Sequence, residues 1–79
     1  MIDLFDEVDV IRVVADLPGV SEEGIKVELK GDALVITARG EERRYSRELI
    51  LPAKVEPSSV TTSYRNGILE VVLAKRGDG

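Results

Sequence analysis

Side chains able to do chemistry are sparse in this chain, and the first group stands at its beginning. Asp3, Asp6, Glu7 and Asp9 place four acids within seven residues, broken by Leu4, Phe5 and Val8. Carboxylates so crowded suit a hard cation. A Ca²⁺ loop, however, needs Asp-x-Asp-x-Asp-Gly spacing and a trailing Glu, and neither is present. The acids are read instead as a solvated leader to the first strand, with no metal site and no cofactor expected. The second group is Glu41-Glu42-Arg43-Arg44. Two basic residues beside two acids make a poor phosphate patch and a good charged connector. The chain has no histidine, which removes the usual general base and transition-metal ligand together. It has no cysteine, which excludes disulfides and thiolate metal sites and fits a reducing cytoplasm. Asp, Glu, Lys, Ser and Tyr occur in no constellation with catalytic spacing. No enzyme and no catalytic residue are expected.

What remains is binding, and the totals narrow it. Seventy-nine residues make one domain, with an ordered core expected from about residue 8 to 75. A net charge of −4 argues against nucleic acid as a partner. No apolar run approaches the roughly 20 residues a membrane-spanning helix needs, and Met1-Ile2-Asp3 does not read as a signal-peptide start. A cytoplasmic location is expected.

The elements that must position any binding surface are strands. Asn66-Gly67 between two β-rich runs is the strongest hairpin signal in the chain, because a type I′ turn needs φ > 0 at both central residues. That loop sets Arg65 opposite Ile68, Tyr64 opposite Leu69, Thr62 opposite Val71 and Val60 opposite Leu73. One face is then almost wholly apolar. A slip of one residue would scramble both faces. Earlier, Val8–Leu17 reads as a strand whose apolar face is Ile11, Val13, Ala15 and Leu17, stopped by Pro18-Gly19. Ser21–Gly24 suits a single capped helical turn. Ile25–Leu29 and Leu34–Ala38 flank a second hairpin loop at Gly31-Asp32, pairing Leu29 with Leu34, Val27 with Ile36 and Ile25 with Ala38. Tyr45–Leu51 is a further strand ended by Pro52, and Glu56–Ser59 makes a turn. The tail after Leu73 lacks periodicity and is expected to fray; its Arg76-Gly77-Asp78 tripeptide is read as coincidence. Two hairpins with one greasy face each are most economically covered by each other. The expected fold is all-β, a small antiparallel β-sandwich with an immunoglobulin-like outline.

Two stretches then carry a resemblance. Ala15-Asp16-Leu17-Pro18-Gly19-Val20, followed by Ile25-Lys26-Val27 and Gly31-Asp32-Ala33-Leu34, resembles the α-crystallin domain of small heat-shock proteins. So does Ser63-Tyr64-Arg65-Asn66-Gly67-Ile68-Leu69, with Ile where the family's Asn-Gly-Val-Leu has Val. Archaeal and bacterial members look most similar, from about Val8 to about Lys75. The resemblance implies a two-sheet sandwich and ATP-independent holding of partly unfolded client proteins. It also implies a groove for an Ile-x-Ile peptide segment or for clients, with Ile25, Val27 and Leu29 on one wall and Val60, Thr62 and Tyr64 on the other. Edge-strand addition supplies the physics. The plainer reading is that register alone puts these six residues in the core.

Two departures from the family pattern bear on assembly. The N-terminal and C-terminal arms of the family, the latter with Ile-x-Ile, find no match within these 79 residues; Leu49-Ile50-Leu51 has the right letters but sits in a predicted strand. The long loop that donates a dimerising strand is also missing. Residues 39–44 reach roughly 20 Å out at about 3.3–3.6 Å per residue and leave nothing for the return. The expectation is a monomer, or a weak dimer through an exposed edge at Tyr45, Arg47 and Leu49. Two functions follow. One is an ATP-independent chaperone core. The other is an interaction domain for a dedicated partner or assembly, of the gas-vesicle accessory type or similar to the CS co-chaperone domain, without general holding activity.

Overall fold

Among the described residues six strands arise where the apolar alternation predicts them, and a seventh where it does not. The computed structural model describes residues 2–77. The strands are β1 (Ile2–Asp6), β2 (Val10–Asp16), β3 (Ile25–Lys30), β4 (Ala33–Arg39), β5 (Arg44–Ile50), β6 (Thr61–Arg65) and β7 (Ile68–Ala74). Single 3₁₀ turns at Glu22–Gly24 and Pro57–Ser59 precede β3 and β6. All strand pairs are antiparallel. They form a four-stranded sheet ordered β1-β2-β7-β6 and a three-stranded sheet ordered β3-β4-β5.

Both hairpin registers are as expected. Tyr64 pairs with Leu69 and Thr62 with Val71, while Leu29 pairs with Leu34, Val27 with Ile36 and Ile25 with Ala38. Asn66 at φ 52° and Gly67 at φ 81° supply the two left-handed residues of the first turn. Burial follows the alternation. Ile11, Val13, Ala15 and Leu17 from β2 and its exit meet Leu34, Ile36 and Ala38 of β4 and Leu69, Val71 and Leu73 of β7 in one buried cluster. No charged or polar side chain among the described residues is fully buried.

Three expectations are corrected. The acidic leader is a strand: Ile2–Asp6 pairs along the outer side of β2, Leu4 facing Val13 and Ile2 facing Ala15. Ile2 and Leu4 pack against the core while Asp3, Phe5 and Asp6 stay exposed, the charge load that edge strands tolerate. The acids therefore serve as ion-pair partners: Asp6 meets Lys75, and Glu7 meets Arg12. The tail does not fray at once. The Lys75 N–H donates to the Asp9 carbonyl at 2.9 Å and the Arg76 N–H to the Lys54 carbonyl at 3.0 Å, stitching the chain beyond β7 to two loops. Val60 and Leu51 lie just outside the strands assigned to them; Leu51 is buried, and its N–H donates to the Asp32 carbonyl at 2.8 Å. The Arg-Gly-Asp tripeptide extends outside the described residues.

The connector between β4 and β5 is a tight turn. The Gly40 N–H donates to the Arg43 carbonyl at 2.8 Å, so residues 39–44 turn the corner and carry no further strand.

Candidate functional site

A sandwich of four strands over three has open flanks where strand edges lack partners. On one flank these edges are β3 and β6, the last strands of their sheets. Between them lies a cavity of about 480 Å³ lined by Ile25 and Val27 from one side and Val60, Thr62 and Tyr64 from the other, with Leu69 as floor. Five of the six residues singled out from the sequence thus line one recess. Leu29, the sixth, opens instead into an adjoining cavity of about 280 Å³ with Leu51, Ala53, Val55 and Pro57. None of the six is in the fully buried set. Ile25, Val27, Leu29, Val60 and Tyr64 are half-buried and pack against the core, while Thr62 is exposed.

Tyr64 has a second role that its place in the wall did not reveal. Its hydroxyl lies 2.8 Å from the Leu17 carbonyl and 3.0 Å from the Val20 carbonyl, and its proton is donated to these two oxygens. The Leu17 N–H in turn donates to the Gly67 carbonyl at 2.7 Å. The Leu-Pro-Gly-Val corner and the Asn-Gly hairpin are therefore bonded to each other directly, and this clasp ties β6 to the corner that follows β2. Ser59 was also missed. Its hydroxyl donates to the Glu56 carbonyl at 2.6 Å and accepts the Ala74 N–H at 2.9 Å, joining the turn before β6 to the end of β7. A Ser two residues before a strand carries no distinctive sequence signal; its role depends on where β7 ends.

The expected edge-contact residues fall on β5. Tyr45 and Leu49 are half-buried against the core, and Arg47 between them is exposed. The Tyr45 hydroxyl donates to the Pro18 carbonyl at 3.2 Å and accepts from Arg43 at 3.3 Å. That contact raises the Arg43 guanidinium above its ordinary value. On the outer face of the larger sheet, Arg12 is bonded to Glu7 at 3.2 Å and to Glu70 at 3.0 Å. The hydrogen bond to Glu7, then that to Glu70, holds its pKa above the usual arginine value. A larger recess, about 720 Å³, lies at the corner of Gly19, Arg39, Gly40 and Arg43, where Glu41 and Glu42 offset the arginines. Among the described residues no three acids, histidines or cysteines converge as a metal set. No helix among the described residues is long and apolar enough to cross a membrane.

Two sheets of this order, with a groove between opposed free edges, define an α-crystallin-type sandwich. The chain belongs to the Hsp20/alpha crystallin family, whose profile matches residues 3–78. The chain is 33% identical to a probable 15 kDa heat shock protein of Leptospira interrogans over 95% of its own length and 68% of that protein. It is 29% identical to heat shock protein 16 of Schizosaccharomyces pombe, over 94% of this chain and 64% of the relative. Among solved structures, the Del-C4 mutant of hsp14.1 from Sulfolobus superposes with a TM-score of 0.88 at 31% identity, covering 98% of this chain and 75% of that one. Heat shock protein 16.0 from S. pombe gives 0.85 at 28% identity, covering 95% and 84%. The chain spans about two thirds of these two curated relatives and 37% of a mitochondrial 23.5 kDa heat shock protein from Arabidopsis thaliana. Members of this family are chaperones that use no ATP, not enzymes.

Proposed function

We propose that this domain is the core of a small heat-shock protein that holds partly unfolded proteins without nucleotide, accepting an apolar segment in the groove between β3 and β6. The observation that carries this reading is the half-burial of Ile25, Val27, Val60 and Tyr64 around a cavity flanked by two unpaired strand edges. Apolar side chains of an extended segment enter the recess while its backbone bonds to an edge. A non-native chain offers both features; a folded one hides them. The domain acts in the cytoplasm, consistent with its lack of cysteine. It is a monomer or a weak edge-strand dimer, since the Gly40–Arg43 turn leaves no loop to exchange.

That same turn favours a second reading, an interaction domain that serves one dedicated partner without general holding activity. Light scattering of a heat-aggregating client, with and without the domain and without ATP, separates the two. Suppression near stoichiometric ratios supports the chaperone core. Absence of suppression, with one protein recovered in stoichiometric complex by pull-down, supports the dedicated partner.

A further inference from the structure

The opposite flank is bounded by the other two free edges, β1 and β5. Their charges are opposed. β1 carries Asp3 and Asp6 with no basic residue, whereas β5 carries Arg44 and Arg47, preceded by Arg43, against the single acid Glu48. Asp6 is engaged by Lys75, but Asp3, Arg44 and Arg47 have no ion-pair partner among the described residues. Both edges also expose a large apolar side chain on the outer face of their sheets, Phe5 at 48% and Ile50 at 64%. On the inner side, the half-buried Leu4 of β1 has its counterparts in Tyr45 and Leu49 of β5.

We infer that two copies of this chain associate by pairing β1 of each with β5 of the other, about a twofold axis running along the strands. Strand direction permits it. β2 runs toward Pro18 and β5 runs away from it, as the Tyr45–Pro18 bond fixes; β1 is antiparallel to β2 and so runs with β5. A twofold along the strands preserves that direction and exchanges the two layers, bringing β1 beside the other copy's β5 in parallel at two places at once. The alternative twofold, perpendicular to the sheets, sets β1 against β1 and β5 against β5, acid facing acid and arginine facing arginine. Like charges across an interface are the costly arrangement. Arg47 makes the choice sharper, because it stands in the inward row between Tyr45 and Leu49, opposite Ile36. An inward charge on an edge strand rejects an uncharged strand and accepts an acidic one.

This pairing rests on the reading of β5 as an interaction edge, and it is tested apart from client holding. Sedimentation equilibrium of the full chain should show a dimer that weakens between about 0.1 M and about 1 M salt, as the screening length falls from about 10 Å to about 3 Å. Arg44→Glu should raise the dimer Kd by about tenfold, and adding Asp3→Lys, in the same outward row, should recover most of it, the circular dichroism melt being unchanged. A chain monomeric at every attainable concentration, or a reversal that Asp3→Lys does not rescue, overturns the pairing. The absence of cysteine gives a second measurement. A Phe5→Cys chain mixed with an Ile50→Cys chain should form the mixed disulfide in excess; an excess of the two homodisulfides overturns the proposal. A monomer that still suppresses client aggregation would remove this dimer and leave the groove reading intact.

Discussion

The hydroxyl of Tyr64 on β6 donates to the carbonyl of Leu17 at the end of β2, 2.8 Å away, so the chain's two most recognisable stretches are one physical unit. The corner at Pro18 breaks the strand and leaves carbonyls without ladder partners; the tyrosine satisfies two of them. Tyr64→Phe keeps the ring in the groove wall and removes only this bond. It is expected to lower stability by about 1 kcal/mol, read as a shift in denaturant midpoint at unchanged slope. An unchanged midpoint would mean the clasp contributes nothing net.

Val27 is half-buried in β3 and packs at the rim of the core, so Val27→Asp can place its carboxylate in water and leave the sandwich folded. The expected outcome is a native circular dichroism spectrum with loss of apolar peptide binding, measured by fluorescence anisotropy. A folded variant that still binds removes Val27 from the groove. An unfolded one restores the plainer reading in which these side chains are simply core.

Asn66 and Gly67 occupy left-handed backbone, and proline is locked near φ −65°. Asn66→Pro with Gly67→Val therefore removes the turn: the proline ring cannot reach φ 52°, and valine in left-handed backbone costs about 1–2 kcal/mol. In a domain of this size the pair should abolish cooperative unfolding. A melting curve like that of the parent would refute the turn.

Gly40 needs no special φ, but a Cβ there would run into the Gly19 carbonyl. Gly40→Ala should cost about 2 kcal/mol through forced separation of the two corners, seen as a lowered Tm. Gly31→Ala is a useful contrast. It meets open space and bears only the strain of its φ of 60°.

Local chemistry explains what the sequence made legible. Asn-Gly and Gly-Asp loops fix register, and register with alternation fixes faces, so both hairpins and most of the core could be read directly. β1 could not, because its alternation is interrupted by acids that only make sense once Lys75 is known to sit beside Asp6. The clasp of Tyr64 and the Ser59 bridge were hidden for the same reason: each joins residues distant in sequence through a single hydroxyl. Five of the six wall positions named from the sequence line one recess, since a register that builds an inner face also names its edges. Leu29 diverged because the chain after β5 folds back over that end and closes a separate recess around it.

The tight turn at Gly40–Arg43 has a kinetic consequence. It makes β3, β4 and β5 a continuous meander in which every pairing is between neighbours in sequence. The other sheet is built from the two ends of the chain, where Asp16 must find Ile68 and Val10 must find Ala74. Loop-closure entropy delays such distant pairings until something brings the ends together. The meander is that template: it can assemble while the termini are still loose, and the β2–β7 zipper closes over it afterwards. Until that closure, the lining residues Val60 and Tyr64 have no fixed position opposite β3. The groove is therefore among the last features of the molecule to form and among the first to be lost.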